Sequence, residues 1–543
     1  MMKNLPLGIQ SLREIITGDY IYIDKTQYVY NLLKGVKYYF LSRPRRFGKS
    51  LLLDTIAETF SGDRELFKGL WIYKSGYGFE KHPVLRLDMS NIANETPDAL
   101  KDSIAFSLNE RINAEGFNIF SGNLPDLFKT LIKSLHDKYA QRVVVLIDEY
   151  DKPILDHLQD AETAEANRAV LGGFYGILKS MDPYLRLAFI TGVTKFTKTS
   201  IFSGLNNLYD ITLDRKYSNI CGVAVGDLDK YFGKHIAQLA GNHGFERGDS
   251  IVGEILAWYD GYSWDGQTRV INPYSLLSFF MRKSFESFWY ASGTPSFLID
   301  ILKRKPATFL TLRNLEIRER SLDSFDIKKI GVASLLFQTG YLTVKKALHE
   351  ARPPVYVLDI PNLEVREAFY MNIIAEFTEQ DIDYAESAYT KMKESLNSGN
   401  LQETLIVMKS LFASIPYHLH IDREAYYHSI FYTVMSMLGF DIEAEVSTSK
   451  GRIDAVLELA DKVYVMEFKY IDCIPDASRE TKRELFDEAL KEGIKQIKGK
   501  GYADKFAGNG KMIYQAAFAF LGRDDIEMEV ETPSSCAKEP VMF

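Results

Sequence analysis

Short apolar runs alternate with amphipathic stretches through the first part of the chain. Residues 143–147 (VVVLI) are apolar without a break, which fits a strand buried on both faces of a parallel sheet better than one with a wet face. Apolar segments at 37–41, 83–90 and 185–192 supply three more strands, and helices are expected at about 51–60, 99–114 and 124–140. Strand and helix in alternation predict an α/β domain in which a parallel sheet is flanked by helices.

Farther along the pattern changes. "WYDGYSWDGQTRVINPYSLLSFF" and "FWYASGTPSFLI" are rich in aromatic, glycine and turn residues. Trp258, Tyr259, Tyr262 and Trp264 offer faces for a nucleobase, but a helical lid packing its own core is the favoured reading. Residues 327–370 run helix, strand, turn, strand, helix, the order of a small winged-helix-like module. Such modules bind DNA in some proteins and only pack in others. From about 418 a helix leads into three strands parted by turns at 447–451 and 460–462, then a helix at 478–500 and a closing strand at 511–522. These changes divide the chain into an α/β core at 1–225, a lid at 226–300, the winged-helix-like module at 301–370, a helical linker at 371–417, a C-terminal α/β domain at 418–530 and a flexible tail at 531–543.

The length of 543 residues accommodates that many domains. A net charge of −8 argues against a generally basic protein that coats nucleic acid, although local basic patches remain compatible with backbone binding. The start has no apolar core before a cleavage site, and no apolar run approaches membrane-spanning length, so a cytoplasmic protein without membrane contact is expected. Cys221, Cys473 and Cys536 are scattered and form neither a disulfide framework nor a paired zinc site, and the histidines form no HExxH cluster.

Chemistry enters at "YYFLSRPRRFGKSLLLDTIAETF", residues 38–60. A phosphate-binding loop needs inward backbone N–H groups, a lysine for the outer phosphates, a hydroxyl for Mg²⁺ and a helix N-terminus behind them. Gly48, Lys49, Ser50 and the following helix supply these parts, but Arg43 stands where the GxxxxGK[ST] form opens with glycine. Arg43, Pro44, Arg45 and Arg46 make a bulkier loop with charge suited to an anion. Asp148 and Glu149 end the apolar strand about 100 residues later, at the edge where ligands collect in parallel sheets. Asp148 would hold Mg²⁺ and Glu149 would orient the attacking water. The fourth strand puts Thr191 or Thr194 at a phosphate-sensing position, although either also suits a turn. The strand sequence is that of the ATPase class with an extra central strand.

A second constellation is Asp454, Glu467 and Lys469, spaced D-x12-E-x-K across an expected antiparallel pair. Residues two apart in a strand share a face, so Glu467 and Lys469 point together. Two carboxylates and the Phe468 carbonyl suit Mg²⁺, with Lys469 polarising a water for attack on a phosphodiester. The plainer reading is a hairpin with a wet polar face.

"LPLGIQSLREIITGDYIYIDKT", "FLSRPRRFGKSLLLDTI", "VVVLIDEYDKPI" and "ITGVTKFTKTSIFSGLNNLYDIT", with "WYDGYSW", "INPYSLL" and "GTPSFLI" following in order, resemble the prokaryotic AAA-ATPase-like family. Its members commonly carry a C-terminal nuclease-like domain of the PD-(D/E)xK superfamily, and the resemblance covers nearly the whole chain. It implies an N-terminal P-loop ATPase with helical lid and winged-helix-like module, plus a C-terminal α/β restriction-endonuclease-like domain. RPRRFGKS is the usual loop in this family. The resemblance implies nucleotide contacts at Arg46, Phe47, Gly48, Lys49, Ser50, Leu51, Asp148 and Thr191, with Ser50 and Asp148 on Mg²⁺ and Glu149 catalytic. Tyr22, Asp24, Lys25 and Thr26 fall in a segment expected to border the nucleotide. It further implies a nuclease site at Asp454, Glu467 and Lys469, with Asp454 and Glu467 on Mg²⁺ or Mn²⁺ and Glu424, His428 and Gln496 flanking. The "PD" of the superfamily name reads Ile453-Asp454 here, and Gln496 to Tyr502 is wider than the QxxxY spacing of the RecB-like branch, so Tyr502 is not carried over.

The reading that follows is an ATP-dependent, metal-dependent nuclease with ATP and DNA as partners; a role in defence or mobile-element processing suits that architecture by association. The alternative is a nucleotide-dependent switch whose C-terminal domain binds nucleic acid or protein without cutting. Oligomeric state stays open, a homo-oligomer included, and Arg215 is the one candidate for an arginine offered to a neighbour's phosphate.

Overall fold

The computed structural model describes residues 2–119, 122–195, 201–202, 205, 207–242, 248–289, 314–322, 331–348, 353–378, 380–414, 441–448, 451–459, 461–471, 478–506, 510–521 and 525–531. They fall into two compact units, the first drawn from residues 1–293 and 312–365, the second from 366–543.

The first unit is built on β1 (Tyr38–Ser42), β2 (Val84–Asp88), β3 (Val143–Asp148), β4 (Leu185–Gly192) and β5 (Tyr209–Asp210), in the order β2-β3-β4-β1-β5. All neighbours are parallel, and β4 is the extra strand between β1 and β3. Every residue of β1 and β3 is buried, as their unbroken apolar character requires. Helices Lys49–Thr59 and Leu124–Tyr139 pack on β3. The second is capped by the Asn123 side chain, which accepts from Asp126 N, and buries Leu124, Leu127, Phe128, Leu131, Ile132 and Leu135 at helical spacing. Each such side chain contributes about 1.5–3 kcal/mol when removed from water. The register sets Asp88 beside Asp148, so the carboxyl ends of β2 and β3 carry adjacent acids.

The lid comprises helices Val225–Asn242, Gly248–Tyr259 and Pro273–Arg282 with a ribbon of β6 (Val223–Ala224) and β7 (Val270–Ile271). Phe232, Ile255, Tyr259, Leu276 and Phe279 form its core. Tyr259 is buried in that core and Trp258 packs partly buried against it, whereas Tyr262 and Trp264 are buried against Phe47. Beyond it, helix Val332–Thr339, β9 (Thr343–Leu348), β10 (Val355–Asp359) and helix Leu363–Thr378 follow the expected order. A further strand, β8 (Leu315–Arg318), pairs with β10 to give the order β8-β10-β9.

In the second unit, helices Ile382–Ser398 and Leu401–Ala413 precede β11 (Asp441–Thr448), β12 (Gly451–Glu458), β13 (Lys462–Ile471), β14 (Met512–Leu521) and β15 (Asp525–Glu531), which pair in chain order. Only β13 and β14 are parallel in this sheet. Parallel neighbours need a crossover. Helix Arg479–Gly499 supplies it and packs on both strands. Gly493 permits the close approach, since a Cβ there would lie 2.8 Å from the Ala517 Cβ. The strand expected to close this domain is followed by β15. The helix expected at the domain's start, with Glu424 and His428, lies outside the described residues, as do Cys473 and Cys536.

Candidate functional site

A cleft of about 470 Å³ opens at the carboxyl ends of β1 and β3, a volume within the range of small-molecule sites. Arg45 to Leu51, Asp148 and Glu149 line it on the sheet side, Tyr274 and Phe232 on the lid side, and Tyr22 and Lys25 on the N-terminal side. The helix Lys49–Thr59 begins there after Gly48, whose φ of 87° a Cβ would strain even though open space surrounds it. Its N-terminus presents free N–H groups and the positive end of its dipole to an anion.

Lys49 Nζ donates to the carbonyls of Arg43 (3.1 Å) and Pro44 (3.2 Å) and lies 3.2 Å from a Glu149 carboxylate oxygen. Ser50 Oγ donates to Asp148 Oδ2 at 2.6 Å. A hydroxyl beside a carboxylate is a hard-oxygen pair of the kind Mg²⁺ takes while keeping water and phosphate oxygens for its other positions. Arg46 (φ 69°) and Glu149 (φ 51°) hold left-handed backbone without being glycine. Such strain costs about 1–3 kcal/mol each and gathers at functional sites.

Several expectations change. Thr191 is buried and donates to Asp148 Oδ1 from behind, so it acts on the cleft through that carboxylate and does not line it. Thr194 donates instead to buried Asp151, whose carboxyl is pushed up to about 6 by burial and by Glu149. Arg43 does not line the cleft. Its guanidinium is buried 3.9 Å over the Trp264 ring and donates to the carbonyls of Ser42 (2.9 Å), Thr212 (2.9 Å) and Tyr217 (3.3 Å). Phe47 sits edge-on to Tyr262 and Trp264, which leaves its backbone as its contribution to the cleft. Leu51 likewise packs against an apolar cluster, that of Leu12 and Phe67. Asp24 and Thr26 do not line the cleft; Asp24 accepts from Thr26 N (2.9 Å) and Trp71 N (2.6 Å) and ties two local turns together. Arg215 is exposed and away from the cleft. Asp88, Lys152 and Cys221 line it without having been expected to.

The bulky loop is braced from outside. Trp289 Nε1 donates to the Arg45 carbonyl (3.2 Å), and Trp289 N donates to Glu364 Oε1 (2.7 Å), which also accepts from Ser275 Oγ (2.9 Å). Burial pushes the Glu364 carboxyl up to about 7, and its Oε2 has no hydrogen-bond partner among the described residues.

In the second unit the antiparallel pairing of β12 and β13 ends at Ala455 opposite Met466, immediately before Asp454 and Glu467. Asp454 Oδ2 accepts from Phe468 N at 2.9 Å. Lys469 Nζ lies 3.5 Å from Glu467 Oε1 and donates to Gln496 Oε1 at 2.8 Å, while Gln496 Nε2 donates to Glu467 Oε1. Burial, and then the Asp454 charge, push the Glu467 carboxyl up to about 7. Glu467 Oε2 is buried with no hydrogen-bond partner among the described residues. An orphaned carboxylate oxygen beside a second carboxylate fits a divalent cation that would neutralise both. Tyr502 is buried in the core under this site. Lys500, which the spacing of the motif did not single out, feels both carboxylates.

A parallel-sheet unit with a phosphate-binding loop, joined in one chain to an α/β unit with a D…E-x-K site, defines the class: a nucleotide-binding protein with a nuclease-type domain. Residues 6–202 match the family model described as "Predicted AAA-ATPase", and residues 422–529 match "PD-(D/E)XK nuclease superfamily". The chain is 36% identical over 524 residues, 95% of its own length and 96% of the other's, to an uncharacterized protein in the vnfD 5′ region of Azotobacter chroococcum mcd 1. It belongs to the AAA-ATPase-like family, in the form that carries a C-terminal PD-(D/E)XK nuclease superfamily domain.

Proposed function

We propose that the protein is an ATP-hydrolysing, metal-dependent DNA nuclease in which the nucleotide state of the first unit governs cutting by the second. The observation that carries this reading is the convergence of Asp454, Glu467 and Lys469, with a buried carboxylate oxygen on Glu467 left without a partner. A merely wet hairpin would not bury that atom.

At the first site Lys49 and the helix N-terminus grip the outer phosphates of ATP. Ser50 and Asp148 would hold Mg²⁺, which when bound neutralises phosphate charge. Glu149, 3.2 Å from Lys49, would orient the attacking water. Thr191 fixes the Asp148 carboxylate. At the second site Asp454, Glu467 and the Phe468 carbonyl would hold Mg²⁺ or Mn²⁺, which supplies Lewis-acid polarisation. Gln496 fixes both Glu467 and Lys469, leaving the Lys469 ammonium to orient a water or steady charge on the phosphate. Clearance of foreign or mobile DNA is a role that this pairing of activities suits.

The test is cleavage of plasmid DNA by Asp454→Ala in the presence of ATP with Mg²⁺ or Mn²⁺. The expected result is loss of at least about 100-fold, the scale on which a single electrostatic group contributes to catalysis. Cutting at the wild-type rate would remove the proposed site; ATP hydrolysis without cutting by wild type would favour the switch.

A further inference from the structure

The Asp454–Glu467–Lys469 site presents two carboxylates against one lysine, yet its substrate is a polyanion. A divalent cation there would neutralise the carboxylates, and a further side-chain cation beside the site would grip a neighbouring backbone phosphate. Helix Arg479–Gly499 ends beside the site, and its residues four apart share a face. Gln496, already bonded to Glu467 and Lys469, is therefore followed one turn later on the same flank by Lys500. The turn is fixed, because Lys500 N donates to the Gln496 carbonyl at 3.1 Å. The ammonium lies 5.6 Å over the ring of Tyr502, which is itself fully buried. Gly493 sets the height of this helix above the sheet. These contacts put a positive charge on the same helix flank as Gln496, whose side chain is bonded to Glu467 and Lys469.

We propose that Lys500 is a substrate-positioning residue that grips a backbone phosphate of the DNA strand being cut, while Lys469 serves the chemistry. This rests on the nuclease reading of the same site. In support, the Tyr502 contact raises the Lys500 pKa, and the Glu467 and Asp454 charges raise it further, so the ammonium keeps its charge throughout the neutral range.

The experiment uses the full-length chain, wild type, Lys500→Ala, Lys500→Arg and Asp454→Ala. Binding of a fluorescent DNA duplex is measured in Ca²⁺ over a series of salt concentrations, and cleavage kinetics are measured in Mg²⁺. Lys500→Ala should weaken binding and lower the slope of log affinity against log salt by about 0.9, the loss of one phosphate contact. In cleavage it should raise KM several-fold with kcat little changed, and Lys500→Arg should restore most of the affinity. Unchanged affinity and slope in Lys500→Ala, or a loss confined to kcat, would overturn the proposal. Asp454→Ala separates the two claims. If wild type binds through Lys500 but neither it nor Asp454→Ala cuts, the nuclease reading fails and the phosphate grip stands. If wild type and Asp454→Ala cut alike and Lys500→Ala binds like wild type, both fail.

Discussion

Glu364 shows how a single side chain ties the phosphate-binding loop to structure far along the chain. Its carboxyl accepts from Trp289 N, and the same tryptophan holds the Arg45 carbonyl. With its pKa raised from 4.5 in the unfolded chain to about 7 in the folded one, the native state keeps a proton that the unfolded state has released. Its stabilising contribution is therefore full below about pH 4.5 and lost as pH rises through 7, by on the order of 3 kcal/mol in all. Glu364→Gln keeps an acceptor for Trp289 and cannot ionise. Thermal midpoints at about pH 5 and about pH 8 should fall less in this variant than in wild type, whereas equal falls would place the ionisation elsewhere. None of this was legible in the sequence, because Glu364 and Arg45 are brought together only by the fold. Lys49, Ser50, Asp148 and Glu149 were legible since each belongs to a local pattern whose spacing is set by one turn or one strand. Arg43 was misread for the opposite reason: its charge suggested an anion, but its destination is the face of Trp264.

Among elements, the strands that sequence revealed carry an apolar run of several residues, buried throughout in β1 and β3 and only at alternate positions in β2. β5, β6, β7, β8 and β15 were missed. β5 is two residues long, and β8 and β15 lie at sheet edges, where charged residues such as Glu316, Arg318, Glu527 and Glu529 alternate with apolar ones. Charge on an edge discourages pairing with other chains, and it also hides the strand from a hydrophobic reading. In the crossover helix, Gly493→Ala would gain about 1 kcal/mol of helix propensity. It would also force a Cβ to within 2.8 Å of Ala517, whose own Cβ is fixed by β14. Overpacking of this kind costs about 1–3 kcal/mol, so the steric term should win. Gly493→Ala is expected to lower the unfolding midpoint of the second unit and slow cleavage while ATP hydrolysis is unchanged. A more stable, fully active variant would show that the helix has room to spare.

For the whole molecule, family membership establishes that an AAA-ATPase-like domain and a PD-(D/E)XK nuclease superfamily domain share one chain. Among the described residues no helix is long and apolar enough to cross a membrane. The chain passes from the first unit to the second within helix Leu363–Thr378, whose first turn holds Glu364. Within the first unit, the Arg45 carbonyl, Trp289 and Glu364 form one hydrogen-bonded chain. The central claim is that nucleotide governs cutting. The most direct measurement is cleavage of supercoiled and linear DNA in Mg²⁺ by wild type and Lys469→Ala, each without nucleotide, with ATP, and with a non-hydrolysable analogue. The account predicts cutting by wild type that changes with nucleotide and is abolished in Lys469→Ala. Cutting that is indifferent to nucleotide, or that survives in Lys469→Ala, would contradict it.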